Sequence, residues 1–348
     1  MPTIDDSAVG SSPAAARNRP SIYDVAARAG VSHMTVSRVL NDHPNIREST
    51  RAKVLAAISE MNYTRSMVAR ALATKRAMRI GVLVDAPVEY GPSSTLRAIE
   101  RAAREEDYAV SSFSTIDTGD TSFNGGILDL VTQGVDALCV VAPRSDSLDV
   151  LREHPTGLPT LVVKAEPDET LLTAAVDQHA GAALAVNHLI ELGHSRILHM
   201  SGPLDWLDAV AREQTWRETI SAAGLPVLPI IEGDWSSDAG YQAGRHHPAF
   251  DSVTAVFASN DQMALGLIHG LSKRGLRVPQ DISIVGFDDL PDARHFLPPL
   301  TTIRQDFEAL GTVSMKLLFA SLDGDTTPQS AMIAPELVVR ESAAAPAA

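Results

Sequence analysis

The sequence predicts two architectures in one chain: a small all-α head with a helix-turn-helix, then an α/β body built on parallel sheets. Three observations point there. Residues Ser21–Asp42, SIYDVAARAGVSHMTVSRVLND, carry apolar residues at helical spacing on both sides of a glycine. Charge divides sharply: residues 1–79 hold 12 Lys and Arg against 6 Asp and Glu, whereas the other 269 residues hold 17 against 37. From Arg79 onward, short apolar runs alternate with amphipathic stretches, the texture of strands and helices wound into parallel sheets.

In the head, Ile22, Val25 and Ala26 form the apolar face of a first helix. Gly30 ends it, because glycine takes the left-handed C-cap conformation without a Cβ clash. Val31 fills the angle between the helices. Ser32 caps the second helix, its hydroxyl placed to accept from free amides of the first turn. Val36, Val39 and Leu40 turn inward and leave His33, Met34, Ser37 and Arg38 outward, giving the second helix the shape of a major-groove reader. A helical hairpin packed on a core is the plainer reading of the same residues. The charge split favours nucleic acid, since a basic module releases counterions from phosphates that an acidic body would repel.

A third helix is expected over Thr50–Met61, with Val54, Leu55, Ile58 and Met61 as its apolar stripe and Asn62-Tyr63 as its end. RSMVARALATKRA then sets Val68, Ala69 and Leu72 on one face among Arg65, Arg70, Lys75 and Arg76. A helix this short is marginal in water. The stretch reads equally as a hinge helix that orders on DNA, with Leu72 as a minor-groove wedge, or as a basic linker. The divisions expected are a disordered tail over 1–20, the head over 21–66 and the hinge over 67–79.

In the body, the strand-like runs are RIGVLVD, YAVSSFST, VDALCVVA, PTLVVK, LTAAVD, RILHMSG, VLPIIEGD, TAVFASN and ISIVGFDD. Helices are expected over Ser94–Glu106, His179–Leu192, Asp208–Ala223 and Asp261–Arg274. This length is large for one sheet and suits two similar lobes. In such sheets ligands sit beyond the carboxyl ends of the strands. Those ends are Asp85, Ser114, Pro143, Lys164, Ser201, Asp234-Trp235, Asn260 and Asp288. Polar groups beside one large ring suit a small polar molecule such as a sugar.

The sequence has no dinucleotide glycine motif, P-loop lysine, HExxH or GxSxG. Asp288 and Asp289, adjacent on a strand end, point to opposite sides and make no acid–base pair. The 11 His show no paired metal spacing and Cys139 stands alone in an apolar run, so no metal, cofactor or internal disulfide is expected. No apolar run approaches the ~20 residues that span a membrane. The acidic, Ser-rich start lacks the basic onset and apolar core of an export leader, so cytoplasmic residence is expected.

Several long segments together resemble the lactose repressor family of bacterial transcription regulators. They are YDVAARAGVSHMTVSRVLN in the head, VARALA in the hinge, and GHSRILHMSGPL, EGDWS, SNDQMALG, GLRVPQDISIVGFDD and PPLTTIRQDF in the body. The resemblance, running from about Ser21 to Arg340, implies a two-lobed body like the periplasmic sugar-binding proteins. The lobes fall at about 80–176 with 307–333, and about 177–306 with 334–341, leaving 342–348 as a tail. It also implies a homodimer on near-palindromic operator DNA. Arg38 matches the recognition-helix arginine that contacts a base edge, and a guanidinium fork suits guanine O6 and N7. His33 and Met34 fall at the positions that vary operator choice; methionine suits a thymine methyl. Thr35 and Ser37 match hydroxyls that contact backbone phosphates, and Leu72 matches the hinge leucine. Ser32, Asn41 and Arg51 complete the implied DNA face.

For the effector, the resemblance implies Pro92, Lys164, Arg212, Trp235, Asn260, Gln262, Asp288 and Phe307. Asp288 would accept from hydroxyls, Arg212 and Asn260 would donate, and Trp235 would offer a flat apolar face. Plainer roles exist for three of them: Asn260 as the cap of the helix from Asp261, Phe307 as core, Arg212 as a surface charge. Lys164 departs from the family, which has an acidic residue there; an ammonium changes which hydroxyl or acid can be paired and leaves an anionic sugar open. Ile116 and Val141 stand where two further polar pocket positions fall. The end SAAAPAA lacks the heptad-leucine helix of tetrameric members, so a dimer is expected. The reading is a repressor whose operator affinity changes with a small sugar-like effector, most simply an inducer. The competing readings are a sugar-binding protein without a DNA role, and an enzyme acting on sugars.

Overall fold

The computed structural model describes residues 20–40, 43–63, 76–85, 89–115, 120–141, 144–165, 168, 170–325, 327 and 329–347. It comprises two compact units, divided between Arg76 and Ala77. Residues 1–19 of the expected tail, Asn41, Ile116, Pro143 and residues 67–75 of the expected hinge, with Leu72, lie outside the described residues.

The first unit contains α1 (Ile22–Ala29), α2 (His33–Leu40) and α3 (Glu48–Glu60). Val25, Val36 and Val54 are fully buried at their junction, with Ala26, Val39 and Ala57 around them. The stripe of α3 differs from expectation at one place. Leu55 is 51% exposed, because it lies about 100° round the helix from Val54, and Ala57 takes the inward position.

The second unit holds two six-stranded sheets. The first has the order β11-β5-β4-β3-β1-β2 and the second β12-β10-β9-β8-β6-β7. In chain order the strands of the first are β1 (Arg79–Asp85), β2 (Ala109–Thr115), β3 (Ala137–Val141), β4 (Thr160–Val163) and β5 (Leu172–Val176). Those of the second are β6 (Ile197–Ser201), β7 (Ile231–Glu232), β8 (Ala255–Ala258), β9 (Ser283–Asp288) and β10 (Thr301–Arg304). The chain then returns to the first sheet with β11 (Ser330–Ile333) and to the second with β12 (Glu336–Val338). It therefore passes between the lobes three times. All pairings in the first sheet are parallel; in the second, β12 runs antiparallel to β10. β3 and β9 are buried at every residue, as central strands covered on both faces should be.

The helices of the body are α4 (Tyr90–Glu105), α5 (Asp120–Thr132), α6 (Ser145–Glu153), α7 (Gln178–Glu191), α8 (Leu207–Ala222), α9 (Ser237–His246), α10 (Asp261–Lys273) and α11 (Phe307–Leu322). Helix α4 begins four residues before the expected Ser94. Gly91-Pro92 reads as a breaker, yet a proline in the first turn forfeits only an amide that has no intrahelical partner. VLPIIEGD yields only the two-residue edge strand β7, consistent with Pro229, which has no N–H for a ladder.

The C-terminal stretch is a correction. Residues from 342 were expected to form a tail, but Ser342 is fully buried. Its Oγ donates to the Ile284 carbonyl (2.6 Å) and accepts from the Thr301 amide (2.8 Å). Ala344 exchanges two hydrogen bonds with the Ser283 hydroxyl and accepts from His194 Nε2. The segment seals the second sheet through the Ser342 hydroxyl and the Ala344 backbone, which composition does not reveal.

Candidate functional site

The head builds its outward face by capping. Ser21 Oγ accepts from the Asp24 amide (3.3 Å) while the Asp24 carboxylate accepts from the Ser21 amide (2.7 Å), a reciprocal capping box. These bonds hold the Asp24 carboxyl below its ordinary value. Gly30 sits at φ 68° and donates to the Ala26 carbonyl, ending α1 in the left-handed conformation expected of it. Ser32 Oγ accepts from the Thr35 amide (3.2 Å) and lies 2.9 Å from the Thr35 hydroxyl. Ser32 and Thr35 are thus occupied in starting α2. His33, Met34 and Arg38 are exposed, Met34 by 57%, and Ser37 and Arg51 are half-buried. Arg38 has no acidic partner among the described residues. Tyr23, not singled out from the sequence, is 65% exposed with its ring 5.0 Å from that of His33.

In the body, a cavity lies between the two sheets. Seven of the eight expected effector residues line it: Pro92, Lys164, Arg212, Trp235, Asn260, Asp288 and Phe307. Gln262 does not. Two residues beyond the N-cap, it lies about 200° round α10 from Asn260, and its Oε1 is buried without a partner. Val141 lines the cavity as an apolar group. Other strand ends are spent locally. Asp85 accepts from the Thr115 hydroxyl (2.9 Å) and Arg144 Nε (3.0 Å), and Asp234 accepts from the Ser236 amide and hydroxyl.

The deepest feature of the cavity is a relay of hydrogen bonds that sequence reasoning missed. Arg212 Nε donates to Gln178 Oε1 (2.9 Å), Gln178 Nε2 to Gln305 Oε1 (3.0 Å), and Gln305 Nε2 to Asp288 Oδ1 (2.7 Å). Gln178 opens α7 just after β5, and Gln305 precedes α11, so both glutamines sit where the chain passes between the lobes. Only their position in the topology could have marked them. Arg212 also donates Nη1 to the Ser259 carbonyl and lies 3.8 Å from the Phe287 ring centroid. It is 4% exposed, so it is no surface charge. Burial pushes the Asp288 carboxyl up to about 6, against the opposing pull of Arg212 and Gln305.

Two residues here hold uncommon backbone conformations, Trp235 at φ 70° and Asp288 at φ 111°. Such values persist in bulky or charged residues only where the surroundings fix them. The Trp235 carbonyl accepts from Asn260 Nδ2 (2.9 Å), while Asn260 Oδ1 accepts from the Met263 amide (2.8 Å). Asn260 therefore is the cap of α10 and a wall of the cavity at once. The Trp235 ring lies against Gly202, where a Cβ would stand 2.2 Å from Cη2. Further walls missed from the sequence include Glu89, Tyr90, Trp206 and Asp208. Trp206 meets Trp235 edge-on at 5.6 Å and Tyr90 meets Phe307 edge-on at 5.8 Å. Among the described residues no cluster of three His, Cys, Asp or Glu could hold a metal, and no helix is long and apolar enough to cross a membrane.

Residues 21–66 match the family described as bacterial regulatory proteins, lacI family, and residues 186–343 match a periplasmic binding protein-like domain. The lactose operon repressor of Escherichia coli K12 is 35% identical over 328 residues, covering 93% of this chain and 91% of that protein. The chain belongs to the lacI family of bacterial regulatory proteins. The ribose operon repressor of Escherichia coli K12, another relative, is 34% identical over 329 residues, covering 92% and 98% of the two chains. A crystal structure of the lac repressor dimer bound to operator and the anti-inducer ONPF matches this lacI-family chain with a TM-score of 0.84 at 33% identity. That match covers 94% of this chain and all 100% of that one. A complex of the transcriptional regulator CelR with cellobiose matches with a TM-score of 0.71 at 30% identity, over 93% and 100% of the chains. As a lacI-family protein with this head, the chain is a DNA-binding transcriptional repressor.

Proposed function

We propose that this repressor binds a near-palindromic operator as a homodimer and changes its operator affinity when a small sugar-like molecule occupies the cavity between the lobes. The observation that carries the reading is the Arg212–Gln178–Gln305–Asp288 relay. It ties two charged walls of the cavity to two of the three passages between the lobes, so a ligand that touches either end bears on how the lobes are set. Ligands act through differential affinity for two settings. The repressors of the lactose and ribose operons among its relatives, and the cellobiose complex, support a saccharide; the operon repressors also support release of DNA on binding.

At the operator, α2 enters the major groove. Arg38 reads a base edge and Met34 meets a methyl or apolar edge, while Ser37, Thr35 and Arg51 lie toward the backbone. Asn41 adds to that face, and Leu72 wedges the minor groove as the hinge orders. The dimer works in the cytoplasm, on the nucleoid when bound. Fluorescence anisotropy with a cognate operator and a scrambled duplex, repeated across a saccharide panel, tests the reading. Equal affinity for both duplexes at every salt concentration would refute the specific operator. A confirmed cavity ligand that left operator affinity unchanged would refute the effector role.

A further inference from the structure

The cavity is lined by three carboxylates and two cations, Lys164 and Arg212. Glu89 from the first lobe and Asp208 and Asp288 from the second all line it. Among the described residues Glu89 and Asp208 make no hydrogen bond or ion pair through their carboxylates. Asp288 accepts only from the neutral Gln305 amide. Burial holds all three carboxyls above their ordinary values, and Asp234 adds its repulsion at Glu89.

The two cations answer the three carboxylates only in part. Lys164 Nζ is 3.0 Å from Asp168, which also takes Arg152 at 2.8 Å. Arg212 spends Nε and Nη1 on Gln178 and the Ser259 carbonyl and its face on Phe287; its charge pulls on Asp288 and Asp208, but it forms no ion pair with either among the described residues. An anionic sugar, which Lys164 left open in the sequence, would therefore meet three carboxylates against one guanidinium and an ammonium already paired with Asp168.

Two independent features point to what fits. Trp235 is 6% exposed and its indole N–H has no acceptor, so it calls for an oxygen in the ligand. The Tyr90 and Phe307 rings flank the same space, and no cation lies over either among the described residues; aromatic faces attract one.

We propose that the effector is an amino sugar, its hydroxyl or ring oxygen accepting from Trp235 and its ammonium held among Glu89, Asp208 and Asp288 beside the Tyr90–Phe307 pair. The proposal rests on reading this cavity as the effector site. A protonated amine supplies three donors and one positive charge, which is what a set of buried acceptor-only carboxylates lacks.

The test uses the full chain in calorimetric titration and in operator anisotropy. Probes are glucosamine, galactosamine, mannosamine and 6-amino-6-deoxyglucose, each beside its N-acetyl derivative and its neutral parent, with glucuronate and galacturonate as anions. At least one amine should bind roughly tenfold or more tighter than both its neutral counterparts, the scale of one charge-assisted contact. The double variant Glu89→Gln, Asp208→Asn should erase that margin, bringing the amine to the affinity of its neutral parent measured on the same variant; its circular dichroism melt checks folding. A neutral or acidic saccharide that binds best and shifts operator affinity would overturn the amine and leave the effector reading standing. An amine that binds best without moving operator affinity would keep the site chemistry and overturn the effector role. Binding by no probe, with operator affinity unmoved, would overturn both.

Discussion

Asp288 gives the sharpest physical prediction, because its burden can be separated from its use. Its carboxyl is raised from 3.8 to about 6 by burial. The native state therefore holds a proton that the unfolded chain has released, and stability on this account is greatest below about pH 4 and falls as pH rises to 6 and beyond. The full span is worth about 3 kcal/mol, at 1.36 kcal/mol per pH unit. Asp288→Asn removes the titration yet keeps an acceptor for Gln305, and asparagine tolerates the φ of 111° as aspartate does. Without ligand, the variant should be more stable than the parent, and its advantage should be larger at pH 7.5 than at pH 5 by about 1 kcal/mol. Urea unfolding of both proteins at both pH values measures this double difference, in which titrating groups that do not interact with Asp288 cancel. A gap that is independent of pH, or that narrows toward pH 7.5, would refute the argument that the carboxylate is held against its own desolvation. The same substitution should abolish the response to the effector, since the charge that destabilises the empty cavity is the one that grips the ligand.

Three further outcomes follow from the structure. Arg38→Ala should weaken binding to a cognate operator by roughly 1–3 kcal/mol and relax preference at one base pair; an equal loss on scrambled DNA would mean that Arg38 touches only phosphate. Gly202→Ala sets a methyl carbon 2.2 Å from the Trp235 ring, so the indole must leave its place. Tryptophan fluorescence should shift, ligand response should be lost and stability should fall by roughly 1–3 kcal/mol. Cys139 is fully buried and burial pushes its thiol to about 12, so a thiol reagent should label it only as fast as the body unfolds, and rapid labelling of folded protein would contradict that burial.

What the sequence disclosed and what it hid divide by the range of the interactions. The head was legible because its signals are local: Gly30 stops α1, Ser32 starts α2, and Val36 and Val39 mark the inward face within one turn. The central strands were legible because a strand buried on both faces is an unbroken apolar run, as ALCVV is in β3. The last strands were not: β10, β11 and β12 are short and mixed, and TTIR becomes a strand only between β9 and β12. In the cavity, strand ends exposed Lys164, Trp235, Asn260 and Asp288. Gln178, Gln305, Trp206 and Asp208 stayed hidden because their meeting depends on which sheet the chain returns to. Asp85 misled for the complementary reason: a strand-end carboxylate faces the cavity only when no nearby Arg144 and Thr115 claim it.

That Arg144 also bears on how a ligand could move the lobes. It pairs with Asp85 in the first lobe and with Asp205 at the start of the loop segment leading into α8 in the second, at 3.0 Å each. Its backbone forms a bridge with Trp206, and its guanidinium lies 5.6 Å from the centroid of that ring, which is itself a wall of the cavity. The lobes are thus already joined at the rim without a ligand, through the same side chain that a ligand would touch. The joint is weak where it spans the lobes, since Asp205 is half exposed and such pairs contribute about 1 kcal/mol or less. A ligand present at 100 times its dissociation constant contributes about 2.7 kcal/mol to the setting that binds it. Occupancy therefore outweighs the rim contact in either direction. A molecule that fits behind Trp206 would strengthen the closed rim, and one that displaces the indole would also pull away the surface on which Arg144 rests.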